Sequence, residues 1–164
     1  VAKDPWLVPV ATLRRTLGAS RREQRVGKLG RLEVAGTVVG EDSEACADVV
    51  LCSLEGGVEV SGTVAANWEG YCRRCLIEVT GLVEADVREL YRQRRRREVS
   101  GDDDETYPLD SEMLDLRPLV RDALLLELPL APVCRDDCAG LCAVCGANLN
   151  EGPCACGHSS WSDG

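Results

Sequence analysis

Cysteine constrains the folding of this chain more than any other feature in it. Ten of the 164 residues are cysteine, and six of them, Cys134, Cys138, Cys142, Cys145, Cys154 and Cys156, fall between positions 134 and 156. An isolated pair lies upstream in Cys72-Arg-Arg-Cys75. Two thiolates separated by two residues can converge on one tetrahedral metal at about 2.3 Å. Each such pair is half a site, so the fold must bring a second pair to it. Cys142-Ala-Val-Cys145-Gly146 repeats the spacing, and a glycine there can take the left-handed turn that points both sulfurs inward. Eight thiolates make two four-sulfur sites. One partition joins Cys72 and Cys75 to Cys134 and Cys138, which ties the end of a helix to a hairpin tip. It leaves Cys142, Cys145, Cys154 and Cys156 as a local clasp. The rival partition joins Cys72 and Cys75 to Cys142 and Cys145. The first is favoured and the second stays open. All-cysteine sites are closed and structural, so the expected cofactor is Zn2+, two ions per chain.

Other uses of sulfur fit less well. No run approaches the ~20 apolar residues of a membrane span, and the N-terminus lacks the apolar core of a secretory signal. A cytoplasmic location is therefore expected, where thiols stay reduced and disulfide frameworks are rare. The spacing also lacks a ferredoxin-type run for an iron–sulfur cluster. His158, the only histidine, could replace one sulfur of the clasp, although a solvated tail residue is the simpler reading. Cys46 and Cys52 share parity in an apolar run and read as ordinary core thiols on one strand face.

Periodicity predicts an α+β fold: an antiparallel β-sheet or partly open barrel packed by one main helix, with a C-terminal Cys-rich zinc knuckle. Residues 5–10 read as an extended entry segment, 11–17 as one or two helical turns, and 18–30 as a polar, Arg-rich surface loop. From Leu32 to Tyr91 apolar residues recur with a period of two, around a turn at Gly56-Gly57 and again after Cys75, as half-buried strands require. Leu116, Leu119, Val120, Ala123, Leu124 and Leu128 then repeat at helical spacing, with Asp115 placed to cap, Pro118 in the first turn and Pro129 as the stop. The expected division is a basic N-terminal segment (1–30), a sheet-plus-helix body (31–133) with a mobile charged loop (92–106), and a Cys-rich zinc-binding tail (134–164).

Net charge is −9, which by itself argues against nucleic acid. The distribution is uneven. Residues 1–31 hold eight basic and two acidic side chains, and residues 88–97 hold six arginines and one glutamate. These two islands make Arg14, Arg15, Arg21, Arg22, Arg25, Arg92, Arg94, Arg95, Arg96 and Arg97 candidates for phosphate contact, since the planar guanidinium fork matches phosphate oxygens. Catalysis finds no support: one histidine near the end of the chain gives no nucleophile–base pair, and no Gly-rich phosphate loop follows a strand. The acidic run Asp102–Glu105 reads as a solvated loop. No small-molecule substrate and no membrane partner are expected.

Taken in order, Pro5-Trp-Leu-Val-Pro-Val10, Trp68-x3-Cys72-Arg-Arg-Cys75-Leu76, Tyr107-Pro-Leu-Asp110, Asp115-Leu-Arg-Pro through Pro129, and Cys134-x3-Cys138-x-Gly-Leu-Cys142-x2-Cys145-Gly-x-Asn-Leu-Asn150 resemble the YceD family of large ribosomal RNA subunit accumulation proteins. The likeness is most specific from Tyr107 to Cys156. It implies a bacterial cytoplasmic protein needed for normal 23S rRNA levels, in processing or assembly of the large subunit, and it transfers no catalytic residue. It also implies that the equivalents of Cys72, Cys75 and the Cys134–Cys138 region can occur without the clasp, which supports the first partition. The leading expectation is a non-enzymatic assembly factor contacting 23S rRNA or a pre-50S particle through the arginine islands. An adaptor binding a basic ribosomal protein or assembly factor through the acidic body is the alternative. A thiol/zinc redox sensor is a third.

Overall fold

Strict alternation along three long segments sets the architecture. The computed structural model describes residues 4–93, 106–109 and 112–156. In chain order its strands are β1 (Leu7–Pro9), β2 (Ser20–Lys28), β3 (Leu32–Val34), β4 (Thr37–Val39), β5 (Glu44–Leu54), β6 (Gly57–Tyr71), β7 (Glu78–Arg92), β8 (Tyr107–Pro108) and β9 (Met113–Asp115), followed by helix α1 (Arg117–Glu127). Strands β2, β5, β6 and β7 form one antiparallel series. The β3–β4 hairpin continues the β5 side of β6 through Val38 opposite Glu69, and β8 adds a short parallel pairing to the end of β7. Strands β1 and β9 make a separate antiparallel pair.

Period two sends every second side chain to one face. Ala45, Ala47, Val49 and Leu51 of β5, Val58, Val60, Val64 and Ala66 of β6, and Val83, Ala85, Val87 and Tyr91 of β7 are buried together. The α1 stripe lies over them: Leu116, Leu119, Val120, Leu124 and Leu128 are buried. Each such side chain removed from water contributes about 1.5–3 kcal/mol, so the helix is held mainly by this stripe. Trp6, fully buried, closes one end and donates from Nε1 to the Lys28 carbonyl at 2.9 Å. The Asp115 carboxylate accepts from the Arg117 N–H at 2.9 Å, which satisfies one free donor at the start of the helix.

Of the two forms expected, the antiparallel sheet is the one present, and two other expectations need correction. The sheet is open: β2, β3 and the β7–β8 side are its edges, and β2 does not pair with β7 or β8 among the described residues. Helix α1 and the β1–β9 pair cover the inner face, so the sheet need not curl upon itself to bury it. The Arg-rich segment expected as a loop is β2, whose nine residues pair with β5 from Ser20 opposite Cys52 to Lys28 opposite Glu44. Cys46 and Cys52 are not core thiols; Cys46 is exposed and Cys52 half-buried. Their parity assignment to a common face holds, but that face is the outer one, because the odd-numbered residues of β5 carry the core. The charged run 94–105 and His158 lie outside the described residues.

Candidate metal centres

Strands β6 and β7 are fifteen residues each and run as one long hairpin whose tip projects beyond the core. At that tip Cys72 and Cys75 are both buried. The local chain folds as a knuckle: the Leu76 N–H donates to the Cys72 carbonyl at 2.9 Å, the Cys72 N–H to the Ile77 carbonyl at 2.8 Å, and the Arg74 N–H to the Cys72 sulfur at 3.4 Å. The tail repeats the same three bonds. Gly146 donates to the Cys142 carbonyl at 2.9 Å, Cys142 to the Ala147 carbonyl at 2.8 Å, and Val144 to the Cys142 sulfur at 3.4 Å. Gly146 has φ +73°, the left-handed turn its position demands; Leu76 takes φ +60° at the equivalent place. Each knuckle therefore presents two sulfurs to one side, ready for a second pair.

The second pairs come from the tail. Cys72, Cys75, Cys134 and Cys138 form one group and Cys142, Cys145, Cys154 and Cys156 another, with the four sulfurs of each within 4.8 Å of one another. We call the first the clamp and the second the clasp. In the clamp Cys72 Sγ lies 3.8 Å from Cys138 Sγ, and Cys75 Sγ lies 3.6 Å from Cys134 Sγ. In the clasp Cys154 Sγ lies 3.4 Å from Cys142 Sγ. Four sulfurs at about 2.3 Å from a tetrahedral ion stand about 3.8 Å apart, so each cluster has the size of such a site and can hold a metal ion. The Arg73 N–H donates to the Pro132 carbonyl at 2.9 Å, and the Arg74 guanidinium reaches the carbonyls of Asp136 (3.0 Å) and Cys138 (3.2 Å). Those bonds fasten the hairpin tip to the tail independently of the sulfurs. Sequence reasoning passed over Arg74 and also over Asn150, whose amide donates to Cys138 Sγ at 3.3 Å. The only signal for either was its position between or just after paired cysteines.

Charge at the sulfurs is unevenly disposed. Burial opposes ionisation of Cys72, but the N–H groups of Cys75, Cys134 and Arg74 aimed at it bring the thiol down to about 6. Burial, reinforced by the Cys138 and Cys75 thiols, pushes Cys134 up to about 12. In the clasp the Cys145 and Val144 N–H groups lower Cys142 to about 6. The neighbouring Cys145 thiol, with burial, pushes Cys156 up to about 12. Cys138, hydrogen-bonded by the Asn150 amide, is lowered as well, while Cys75 and Cys154 are raised, so in each cluster some sulfurs favour the thiolate and others, through burial and their neighbouring thiols, resist it. A divalent cation at the centre removes that penalty. Acid competes with any such ion for the sulfurs.

The candidate arginines fall in two settings. Arg14 and Arg15 sit in the 3-10 turn Leu13–Arg15, and Arg14 donates to Gln93 Oε1 at 3.2 Å. The first basic island thus meets the end of β7, which carries Arg88 and Arg92 of the second. Arg21, Arg22 and Arg25 lie on β2. Arg22 grips Asp48 with two nitrogens at 2.7 and 2.5 Å, while Arg21 and Arg25 each form an ion pair with Glu23 at 2.7 Å. Arg94–Arg97 lie outside the described residues.

Fold and site together define a small open-sheet protein whose tail meets its main hairpin at one four-cysteine cluster and closes on itself at a second. The sequence model described as "Large ribosomal RNA subunit accumulation protein YceD" matches residues 60–163, and the chain belongs to the YceD family. It is 35% identical over 152 residues to an uncharacterized protein of Mycobacterium tuberculosis, covering 92% of this chain and 73% of that one. A Mycobacterium leprae protein, also uncharacterized, is 33% identical over 148 residues, covering 89% and 68%. The chloroplastic YCED homolog 1 of Arabidopsis thaliana, named as a large ribosomal RNA subunit accumulation protein, is 34% identical over 58 residues, 35% of this chain and 18% of its own. No solved structure matches the chain. Among the described residues no helix is long and apolar enough to cross a membrane.

Proposed function

We propose that the protein is a non-enzymatic, cytoplasmic factor that supports accumulation and processing of 23S rRNA and assembly of the large ribosomal subunit. Membership of the YceD family carries this reading, since the matched span, residues 60–163, takes in all eight clustered cysteines. Each cluster would hold one structural Zn2+; four protein sulfurs leave no open position for a reacting water. Contact with rRNA or a pre-50S particle would run through the arginine islands. The approach of Arg14 to Gln93 supports it, because the basic N-terminal turn then adjoins the strand end from which Arg94–Arg97 follow in sequence. Arg21, Arg22 and Arg25 hold carboxylates on β2 and would exchange them for phosphates; Arg14, Arg15, Arg92 and Arg94–Arg97 are the other candidate arginines.

Neutralising those seven arginines to glutamine is the test. Sedimentation with precursor large-subunit particles is expected to be lost, and the salt dependence of binding to flatten by about 0.7–0.9 in log–log slope per phosphate contact removed. Unchanged co-sedimentation would remove RNA contact from the account. A second reading, an adaptor for a basic ribosomal protein or assembly factor, is favoured by one observation. Glu69, Glu78, Glu84 and Asp86 are exposed on the uncovered outer face of β6–β7, beside exposed Leu82 and Tyr71, and have no ion-pair partner among the described residues. Co-purification of the partner that survives ribonuclease, and is lost when these four acids are neutralised, selects the adaptor.

A further inference from the structure

Asn150 lies between Cys145 and Cys154, inside the loop that the clasp closes, yet its side chain reaches the clamp. Its Nδ2 donates to Cys138 Sγ at 3.3 Å and to Asn148 Oδ1 at 2.8 Å. Its Oδ1 accepts from the Ala139 N–H and from the Arg135 guanidinium, each at 2.8 Å. A primary amide offers two donors and one two-fold acceptor, and every one is used here. The orientation is fixed as well, because a reversed amide would set its NH2 against two donors and its oxygen against sulfur.

The backbone that carries Asn150 is pinned from both sides. Its own N–H donates to Asn148 Oδ1 at 3.0 Å, and the Leu149 N–H donates to the Gly140 carbonyl at 2.9 Å. Leu141 and Asn148 form an antiparallel bridge. Residues 147–150 therefore cross the stretch 138–141, which leaves one cluster at Cys138 and enters the other at Cys142. Closing the clasp fixes both ends of the segment that bears Asn150.

We infer that Asn150 is a positioning residue coupling the two sulfur clusters, so that metal held in the clasp slows loss of metal from the clamp. The coupling requires that both clusters hold zinc, as proposed above. A neutral N–H aimed at a metal-bound thiolate stabilises its negative charge without adding one. With the clasp open, only hydrogen bonds would keep the amide in place: those from Ala139 and Arg135, that of Leu149 to Gly140, those to Asn148 Oδ1 and the Leu141–Asn148 bridge. By linkage the effect is reciprocal: an occupied clamp holds Ala139 and Gly140 where the clasp segment needs them.

The experiment follows Zn2+ release from the full chain to a chromophoric chelator under reducing conditions. Cys72→Ser/Cys75→Ser identifies the clasp phase and Cys154→Ser/Cys156→Ser identifies the clamp phase. Asn150→Asp keeps an acceptor for Ala139 and Arg135 but loses the donor to Cys138; Asn150→Ala removes both. Clamp release is expected to accelerate about 10- to 100-fold in either variant. The clasp-less protein should show the same acceleration, and adding Asn150→Ala to it should change nothing further. Clamp release at the wild-type rate in both Asn150 variants overturns the coupling. So do effects of clasp loss and Asn150 loss that simply multiply. A wild-type protein that binds no zinc would instead sink the metal reading itself, before any variant is compared.

Discussion

Leu76 and Gly146 occupy the same place in two copies of one turn, and only one of them suits it. A left-handed backbone costs a side-chain-bearing residue about 1–2 kcal/mol, and glycine avoids it. Leu76 is 61% exposed, so little packing offsets the strain. Leu76→Gly is therefore expected to stabilise the protein by about 0.5–1 kcal/mol, the gain being trimmed by the greater freedom of glycine in the unfolded chain. Urea unfolding at fixed zinc measures this, and a loss of stability would show that the leucine side chain holds the knuckle shut. At this scale the sequence was readable wherever spacing alone decides geometry. The knuckle at Cys142–Gly146 and the tip at Cys72–Cys75 follow from two intervening residues. Cys46 and Cys52 were misplaced because parity tells which residues share a face and not which face is inside. Asn150 was hidden for a different reason: its partner Cys138 is twelve positions away and no periodicity relates them.

Among elements, the legible ones are those with an apolar period. Strands β6 and β7 alternate cleanly, and α1 keeps its leucine stripe, so their faces could be assigned before their partners were known. Strand β2 has no such pattern. Arg21, Glu23 and Arg25 alternate with Arg22, Gln24 and Lys28, so both faces read as polar. It is held instead by nine paired positions on β5 and by cross-strand charge, chiefly Arg22 to Asp48; Asp48, hydrogen-bonded by Arg22 and Gln24, is held down at about 2. Pairing partners of this kind are non-local and leave no trace in a window of sequence. The helix offers the sharper test. Leu124 is fully buried in the stripe, and truncating a buried leucine costs about 2–5 kcal/mol through lost transfer energy and the cavity left behind. Leu124→Ala is expected to lower stability by that amount in urea titration while metal content stays unchanged, because Leu124 packs in a buried cluster separate from that of the sulfurs. Zinc lost in step with stability would mean that body and tail fold as one unit.

At the scale of the whole molecule two separate buried clusters divide the labour. The large one holds Trp6, the inner sheet face and the α1 stripe; the small one consists of Cys72, Cys75 and Cys138 with Val79, Val133, Cys134 and Leu141 packed beside it. Beyond α1 the described tail has no helix or extended strand, only the bridge between Leu141 and Asn148. So little apolar surface cannot order a segment of that length against its conformational entropy, about 1–2 kcal/mol per residue for the backbone alone. Where a site does not pre-exist in the unfolded chain, metal binding free energy is folding free energy. Chelation under reducing conditions is therefore expected to release residues 130–156 to rapid amide exchange and proteolysis. The sheet should keep its slow-exchanging amides in β5, β6 and β7, and the emission of buried Trp6 should stay unchanged. The hairpin tip should loosen with the tail, since the Arg73 and Arg74 bonds to Pro132, Asp136 and Cys138 have no fixed acceptors once the tail is free. A tail that stays protected without metal would show that hydrogen bonds and packing alone suffice, and the sulfurs would then need another explanation.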